Sequence, residues 1–388
     1  MSIHGLFDTD IYKITMQYAV LRLFAGSQVE YDFINRRKTD ILSDDLLKKL
    51  QLIVNSVGDM KADTGEINHL RKHLPFLPDW YTLGWLKNFV PNPKHVQISK
   101  EGIKVKGPWE EAIWWEVPLL YTISELFCAE KDAKDPLCLE QNIKTETLKK
   151  IIRLSGEDPC QFMQFGTRRR RSYEIEDKVI QVMKNSGLPN FMGVSNVHFA
   201  AKYDLKPMGT MGHEWIMAIS ALKSLRYANR YAMEAWNEVY GGNLGVFLSD
   251  TFGTEAFLKD FNSDYARRYD ATRQDSGDPY VYGNRLIGHY NSLNIDPKTK
   301  GVAFSNGLNT EETLSIQNYF RNKVKRTFGI GTHFTNDFDN RPSMNIVMKL
   351  TKVNGIPLVK LSDDAGKASG DANAIKEAKY VFLNEPLV

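Results

Sequence analysis

The 388-residue chain has no apolar run near the ~20 residues that a bilayer-spanning helix requires. Its most apolar stretch, Ile113 to Phe127, is interrupted by Glu116, Pro118 and Glu125. The N-terminal MSIHGLFDTDIYK has no basic segment leading into an apolar one, so a secretory leader is not expected and the cytoplasm is the expected location. Cysteine is scarce. Cys128, Cys138 and Cys160 cannot all pair and show no CxxC spacing, which argues against a disulfide framework and a structural zinc site and for reduced, structural thiols. Net charge is also small, +3 from 50 basic and 47 acidic residues, so no global field calls for nucleic acid or a membrane surface. Neither an internal repeat nor a low-complexity segment occurs. At 42% hydrophobic composition the chain can bury one large core, or a large core with a smaller satellite.

The N-terminal part reads as α+β. Asp8 or Thr9 can cap a helix with Ile11, Ile14, Ala19 and Leu21 on its apolar face, and Tyr12 and Lys13 project from its first turn. Val29, Tyr31 and Phe33 alternate with Glu30 and Asp32 before Arg36 and Arg37, a strand pattern. A mainly helical stretch follows to about Asn92, broken at Pro75, Pro78 and Pro91. Val96–Ile98 and Ile103–Val105 flank Glu101-Gly102 as a β-hairpin, and Trp109 to Phe127 returns as buried helix. Lys131 to Pro136 is a polar loop, and Glu140 to Leu154 is helical.

Beyond it the organisation changes. Short strand-like runs occur at Phe162–Phe165, Asn190–Val194, Leu205–Met208, Leu244–Leu248, Val302–Phe304 and Val324–Phe328. Helical patterns such as Ser172–Ser186, Thr254–Tyr269 and Glu311–Arg321 lie between them. This alternation specifies parallel strands with right-handed crossovers. The fold class expected is α/β, an irregular or partial barrel over 141–334, with an α+β domain from 1–140 completed by 335–388. Periodicity alone leaves an open sheet as the alternative.

Polar, Gly-rich segments follow nearly every strand, as a barrel active site requires. Gly209-Thr-Met-Gly-His213 carries a histidine at a strand-to-helix junction, with Thr210 near enough to face the same pocket and Glu214 able to orient the imidazole or start the helix. In Gly166-Thr-Arg168-Arg-Arg-Arg171, Arg168 is expected to face inward and grip a planar carboxylate, with Phe165 supplying a stacking ring and at least one of the other arginines serving phosphate or packing. The same run can be a solvated basic face or an RNA grip, but no aromatic platform or basic surplus accompanies it. Asp275-Ser-Gly-Asp278 sets two carboxylates where they can accept from ribose hydroxyls, organise Mg²⁺ or cap a helix, and Asp250 is a further acid. Gly329-Ile-Gly331-Thr332 offers backbone N–H groups and a hydroxyl suited to a phosphate monoester.

These segments in this order resemble the bacterial nicotinate phosphoribosyltransferase family. The likeness rests on LFDTDIYKITMQYAV, GPWEEAIWWEVPLL, FGTRRRR, PMGTMGHEW, RQDSGDP, FSNGLN, FGIGTHFTND, NIVMKL and VKLSDDAGK, and it spans nearly the whole chain. It implies synthesis of nicotinate mononucleotide and pyrophosphate from nicotinate and phosphoribosyl pyrophosphate, with Mg²⁺ and with ATP as co-substrate. It also implies that His213 is phosphorylated by ATP. Tyr12, donated by the partner of a homodimer, and Phe165 would sandwich the pyridine. Arg168 would hold the carboxylate or a phosphate, and Thr210 would sit at the nicotinate. Gly329, Gly331 and Thr332 would cradle the 5-phosphate, Asp275 and Arg273 would meet the ribose and pyrophosphate, and Ser305 and Gly307 complete the substrate set. Relatives acting on nicotinamide carry an Asp where this chain has Ser195, so Ser195 favours the acid. A nicotinamide or quinolinate phosphoribosyltransferase is the alternative within the class. A catalytically silent phosphosugar- or RNA-binding relative is the alternative outside it.

Overall fold

The structure, a computed structural model, describes residues 3–37, 42–133, 139–338, 341, 343–364 and 368–385. Cys138, part of the loop expected over Lys131 to Pro136, and the end of the VKLSDDAGK motif lie outside the described residues. From the N-terminus the strands are β1 (Gln28–Asn35), β2 (Val96–Ile98) and β3 (Ile103–Pro108). Six short strands follow: β4 (Phe162–Gln164), β5 (Phe191–Val194), β6 (Val246–Leu248), β7 (Ala271–Gln274), β8 (Gly301–Phe304) and β9 (Lys325–Ile330). The last are β10 (Ile346–Val353), β11 (Ile356–Pro357), β12 (Val359–Lys360) and β13 (Ser369–Gly370).

Two main sheets result. The first is antiparallel, in the order β11-β10-β1-β3-β2, so a C-terminal strand completes a sheet begun by the N-terminal part. Tyr31 is opposite Leu350 on one side and Val105 on the other, and all three are buried. The alternation that buries Val29 and Tyr31 leaves Glu30 free to pair with Lys106. The second sheet is wholly parallel, in the order β5-β4-β9-β8-β7-β6. Ser172, Asn196, Asn309 and Asp278 each cap the helix that follows, so the crossovers start where the sequence supplies a side-chain acceptor.

The parallel sheet is a partial barrel, because β5 and β6 do not pair with each other. Leu205–Met208, expected as a strand between them, is reduced to a single bridge from Pro207 to Val194, since a proline cannot donate to a ladder. The approach is close enough to demand glycine at 193, where φ is +144° and a Cβ would lie 2.2 Å from the Lys206 carbonyl. Across the remaining gap the Thr210 hydroxyl donates to the Val246 carbonyl at 2.8 Å. β7 has no apolar run to signal it: Ala271-Thr-Arg-Gln takes its place through pairing with β6 and β8. The single helix expected over Thr254–Tyr269 is two, Thr254–Asp260 and Ser263–Arg268, because Asn262 accepts from the amides of Asp264 and Tyr265 and restarts the turn. Cys128 and Cys160 are buried free thiols, as expected.

The helix Ile11–Leu23 is not a half-exposed amphipath. Lys13, Thr15 and Gln17 are buried along with its apolar residues. Its N-cap is Asp10, without a side-chain cap bond; Asp8 is drawn away instead to Arg170. Arg170 is wholly buried, donating to both Asp8 oxygens at 2.8 Å, to Glu125 at 2.5 Å and to Glu176 at 3.1 Å, with Tyr121 3.9 Å beneath its guanidinium. A buried cation so paired ties the N-terminal segment to the helices Glu116–Asp132 and Tyr173–Asn185. Removing it strands three carboxylates, so Arg170→Met is expected to cost about 3–5 kcal/mol of stability. Denaturant unfolding measures this; a loss under about 1 kcal/mol, the range of an exposed pair, would contradict it.

Candidate active site

A cavity of about 360 Å³ lies between the carboxyl ends of β4, β7, β8 and β9 and the inner face of β10. From the end of β4 it receives Phe165, Arg168 and Arg169, and from β7 Arg273 and Asp275. The β8 and β9 ends add Ser305, Gly307, Gly329, Gly331 and Thr332. His213 enters from the first turn of the helix His213–Leu222, Tyr12 from Ile11–Leu23, and Lys349 and Lys360 from β10 and β12. Eleven of these are expected site residues; Lys349, Lys360 and Arg36, which also lines the wall, have no role assigned from sequence.

The imidazole of His213 is closely held. Its Nδ1 lies 3.1 Å from the Thr251 hydroxyl, and its Nε2 lies 3.2 Å from Asp275 Oδ2 and 2.9 Å from the Lys360 ammonium. Burial and then Lys360 push its pKa down, against the pull of Asp250 and Asp275, so the ring is neutral at physiological pH. Burial works to raise the Asp275 carboxyl, but Arg273, His213 and Lys360 outweigh it and hold the group well below the usual carboxylate range. Asp275 Oδ1 accepts from Arg273 at 3.1 Å and from Ser305 at 2.7 Å, so its position is set from three sides. Lys360 also reaches Asp250 at 3.2 Å, and Ser276 donates to the same Asp250 oxygen at 2.5 Å.

Glu214 neither orients His213 nor merely starts its helix. It receives the buried ammonium of Lys13, which it shares with Glu116, and accepts from Tyr31 at 3.1 Å and Trp109 at 3.2 Å. The four-arginine run divides as its neighbours dictate. Arg168 stands 4.0 Å from Asp10, 3.7 Å from Glu116 and 5.9 Å from the centre of the Tyr12 ring. Arg169 donates to the Ile346 carbonyl at 3.0 Å, Arg170 is the buried anchor, and Arg171 clamps Asp132.

Three expected site residues do not line the cavity. Ser195 is buried and donates to Asp10 at 2.6 Å; it stands behind Arg168 through that carboxylate. Thr210 spends its hydroxyl on the gap between β5 and β6. Asp278 is exposed and caps the helix Pro279–Ser292 by accepting from Tyr280 at 2.7 Å and Val281 at 2.9 Å, so it does not join Asp275 in a metal-binding pair. Gly329 is required by packing, since a Cβ there would lie 2.7 Å from the Phe165 ring. His333 is held by Thr310 at 2.9 Å and Asp337 at 2.6 Å, away from the cavity wall.

Arg36, Arg169 and Lys349 crowd one side of the cavity. Burial, then Arg168 and Arg36, bring Arg169 down to about 10; burial, then Arg36 and Lys360, bring Lys349 down to about 8. A cavity lined by Arg36, Arg168, Arg169, Arg273, Lys349 and Lys360 suits a multiply charged anion. With a neutral, held histidine and backbone turns at four strand ends, the fold and site are those of an α/β enzyme acting on a phosphorylated substrate.

Comparison with known proteins makes the assignment specific. Residues 160–386 match the model of the nicotinate phosphoribosyltransferase (NAPRTase) family, and residues 7–124 match its N-terminal domain. The nicotinate phosphoribosyltransferase of Methanosarcina mazei is 41% identical over 401 residues, covering 98% of each chain, and that of Desulforapulum autotrophicum is 38% identical over 383 residues. Crystal structures of nicotinate phosphoribosyltransferases from Porphyromonas gingivalis and Vibrio cholerae superpose with a TM-score of 0.91 each, at 33% and 31% identity, covering 98% and 99% of this chain and 99% and 94% of theirs. The chain belongs to the nicotinate phosphoribosyltransferase family. No helix among the described residues is long and apolar enough to cross a membrane.

The depressed Lys349 gives the cavity a pH-dependent charge. Its ammonium is present below about 8 and lost above it, so binding of inorganic pyrophosphate is expected to weaken as pH rises through that value. Calorimetry from about pH 7 to 9 tests this: Lys349→Met should bind more weakly at the lower pH and lose the step, and an unaltered profile in the variant would contradict the assignment.

Proposed function

We propose that the chain is an ATP-coupled nicotinate phosphoribosyltransferase serving NAD biosynthesis. It joins nicotinate to phosphoribosyl pyrophosphate, forming nicotinate mononucleotide and pyrophosphate, with His213 transiently phosphorylated. Family membership and the names of the relatives support the transferase; the surroundings of His213 carry the coupling. Nδ1 faces the buried Thr251 hydroxyl, and donation of its proton there leaves the Nε2 lone pair directed into the cavity beside Lys360. That lone pair attacks the γ-phosphorus of ATP, the bond to ADP breaks, and no proton need leave the acceptor nitrogen. Lys360 is set to take up the added negative charge, and its ammonium offsets the repulsion between the Nε2 lone pair and the Asp275 carboxylate 3.2 Å away. Water later cleaves the N–P bond and releases inorganic phosphate.

Glycosidic bond formation asks less covalent work of the protein. The pyridine nitrogen attacks C1 of the ribose as pyrophosphate departs, so positioning and charge stabilisation dominate. Arg168 and Tyr12 are suited to the nicotinate carboxylate and ring, with Phe165 on the other face. Gly331, Thr332 and Gly307 suit the 5-phosphate, and Arg273 and Asp275 the ribose and pyrophosphate. Ser195 acts through Asp10, which it holds beside Arg168. Mg²⁺, when bound, neutralises pyrophosphate charge. Asp275 and the buried Oδ1 of Asp250, which has no hydrogen-bond partner, are the hard oxygen donors that fit it. A homodimer with Tyr12 crossing to the partner's site is carried by the family resemblance. Within one chain Tyr12 lines the cavity beside Arg168, so contact of its ring with the pyridine needs no second chain.

Steady-state assays with nicotinate, nicotinamide and quinolinate test the substrate, and a preference for nicotinamide or quinolinate would overturn it. His213→Asn is expected to abolish labelling by γ-phosphate while leaving a slow, ATP-independent transfer; retained labelling would refute the phosphohistidine. Arg168→Lys loses the planar fork and should raise the KM for nicotinate or for phosphoribosyl pyrophosphate, and unchanged values for both would count against its role.

A further inference from the structure

Away from the cavity, the helix Thr64–His73 presents His69 and His73 four residues apart on one face, opposite Asp204 in the turn after the helix Val197–Lys202. One nitrogen of each ring and one oxygen of Asp204 lie within 4.8 Å of one another. Two features show that this is more than proximity. The Nε2 of His69 lies 2.8 Å from the Leu205 carbonyl, which can only accept, so Nε2 carries the proton and Nδ1 carries the lone pair. That lone pair faces Asp204 Oδ1 at 3.6 Å, two acceptors opposed with a place for a cation between them. The second feature is His73, whose buried Nε2 has no hydrogen-bond partner. Its ring lies 4.4 Å from that of His69.

We propose that His69, His73 and Asp204 form a binding site for a borderline transition-metal dication such as Zn²⁺. Two imidazoles and a carboxylate suit zinc, nickel or cobalt and not Mg²⁺, which takes oxygen ligands and holds its water. The Leu205 carbonyl already does for His69 what an outer-shell acceptor does in such sites: it sets the tautomer and the ring plane. Tetrahedral coordination at zinc distances needs ligand atoms about 3.3 Å apart, so modest side-chain rotations close the set and leave a fourth position for water. His69 opens onto a groove it shares with Glu66, Lys72 and His198, which gives a path of entry. Lys72 is the present occupant of Asp204, 2.8 Å from Oδ1, but its side chain is 61% exposed and free to swing out. A bound ion would clip the helix Thr64–His73 to the turn that leads into Pro207–His213, and so would stiffen the approach to His213.

Zinc binding to the full, tag-free chain, measured by competition with a chromophoric chelator, tests this independently of catalysis. His73→Gln and Asp204→Asn are each expected to weaken one zinc site by about 10- to 100-fold. Lys72→Ala, which removes the competing ammonium, is expected to tighten it, and zinc should raise the melting temperature of the wild-type chain but not of His73→Gln. All three positions are at or near the surface, and metal-free melting curves that match wild type verify that the variants fold. No zinc bound by the wild-type chain, unchanged affinity in His73→Gln and Asp204→Asn, or no gain in Lys72→Ala would each overturn the proposal.

Discussion

The ammonium of Lys13, buried between Glu116 and Glu214, is the contact that fixes the wall of the cavity behind His213. It joins three elements distant in sequence: the first helix, the helix Glu116–Asp132 and the start of the helix His213–Leu222. One cation between two buried carboxylates stays charged although burial opposes it, because both acids pull its pKa up more strongly. Tyr31 and Trp109 take up another face of Glu214, so the antiparallel sheet is tied to the same point. His213 stands one residue away on a helix start that cannot tilt without breaking these bonds. Its own partners, Thr251, Asp275 and Lys360, then define the ring.

Around that frame the cavity concentrates positive charge that the protein leaves incompletely balanced. Arg36 bears on both Arg169 and Lys349, and burial together with that repulsion holds both groups below their ordinary range. A phosphorylated substrate relieves both, and binding free energy of that kind is available for positioning at the reacting carbon. Arg168, beside Arg169, is balanced by Asp10 and Glu116, which makes it a directed group and not a free charge. Ser195 and Thr210 illustrate a related economy of structure: each lies one layer behind the cavity, one steadying Asp10 and the other spanning the gap where the barrel fails to close.

Much of this was legible in the chain. The alternation around Tyr31, the hairpin at 96–105 and five of the six parallel strands announce themselves by periodicity, and the polar junctions after them predict where the cavity opens. Where the reading went wrong, tertiary contact outweighed local pattern. Ala271-Thr-Arg-Gln has no apolar run, and it becomes a strand because two neighbours pair with it. Leu205–Met208 looks like a strand, and Pro207 limits it to one bridge. Asp8 has the chemistry of a helix cap, but a buried guanidinium outcompetes a backbone amide for a carboxylate.

The sequence by itself determined the family, five of the six parallel strands, and the residue types at their ends, because backbone hydrogen bonding and turn chemistry act over a few residues. Only the tertiary structure decided which of four consecutive arginines line the cavity, that Glu214 serves Lys13 and not His213, and that Asp278 merely caps a helix. It alone brought Lys349 and Lys360, more than a hundred residues downstream of His213, to the site. Charge pairing in a buried setting depends on distance through space and on the water excluded. Neither quantity is written in the spacing of residues along a chain.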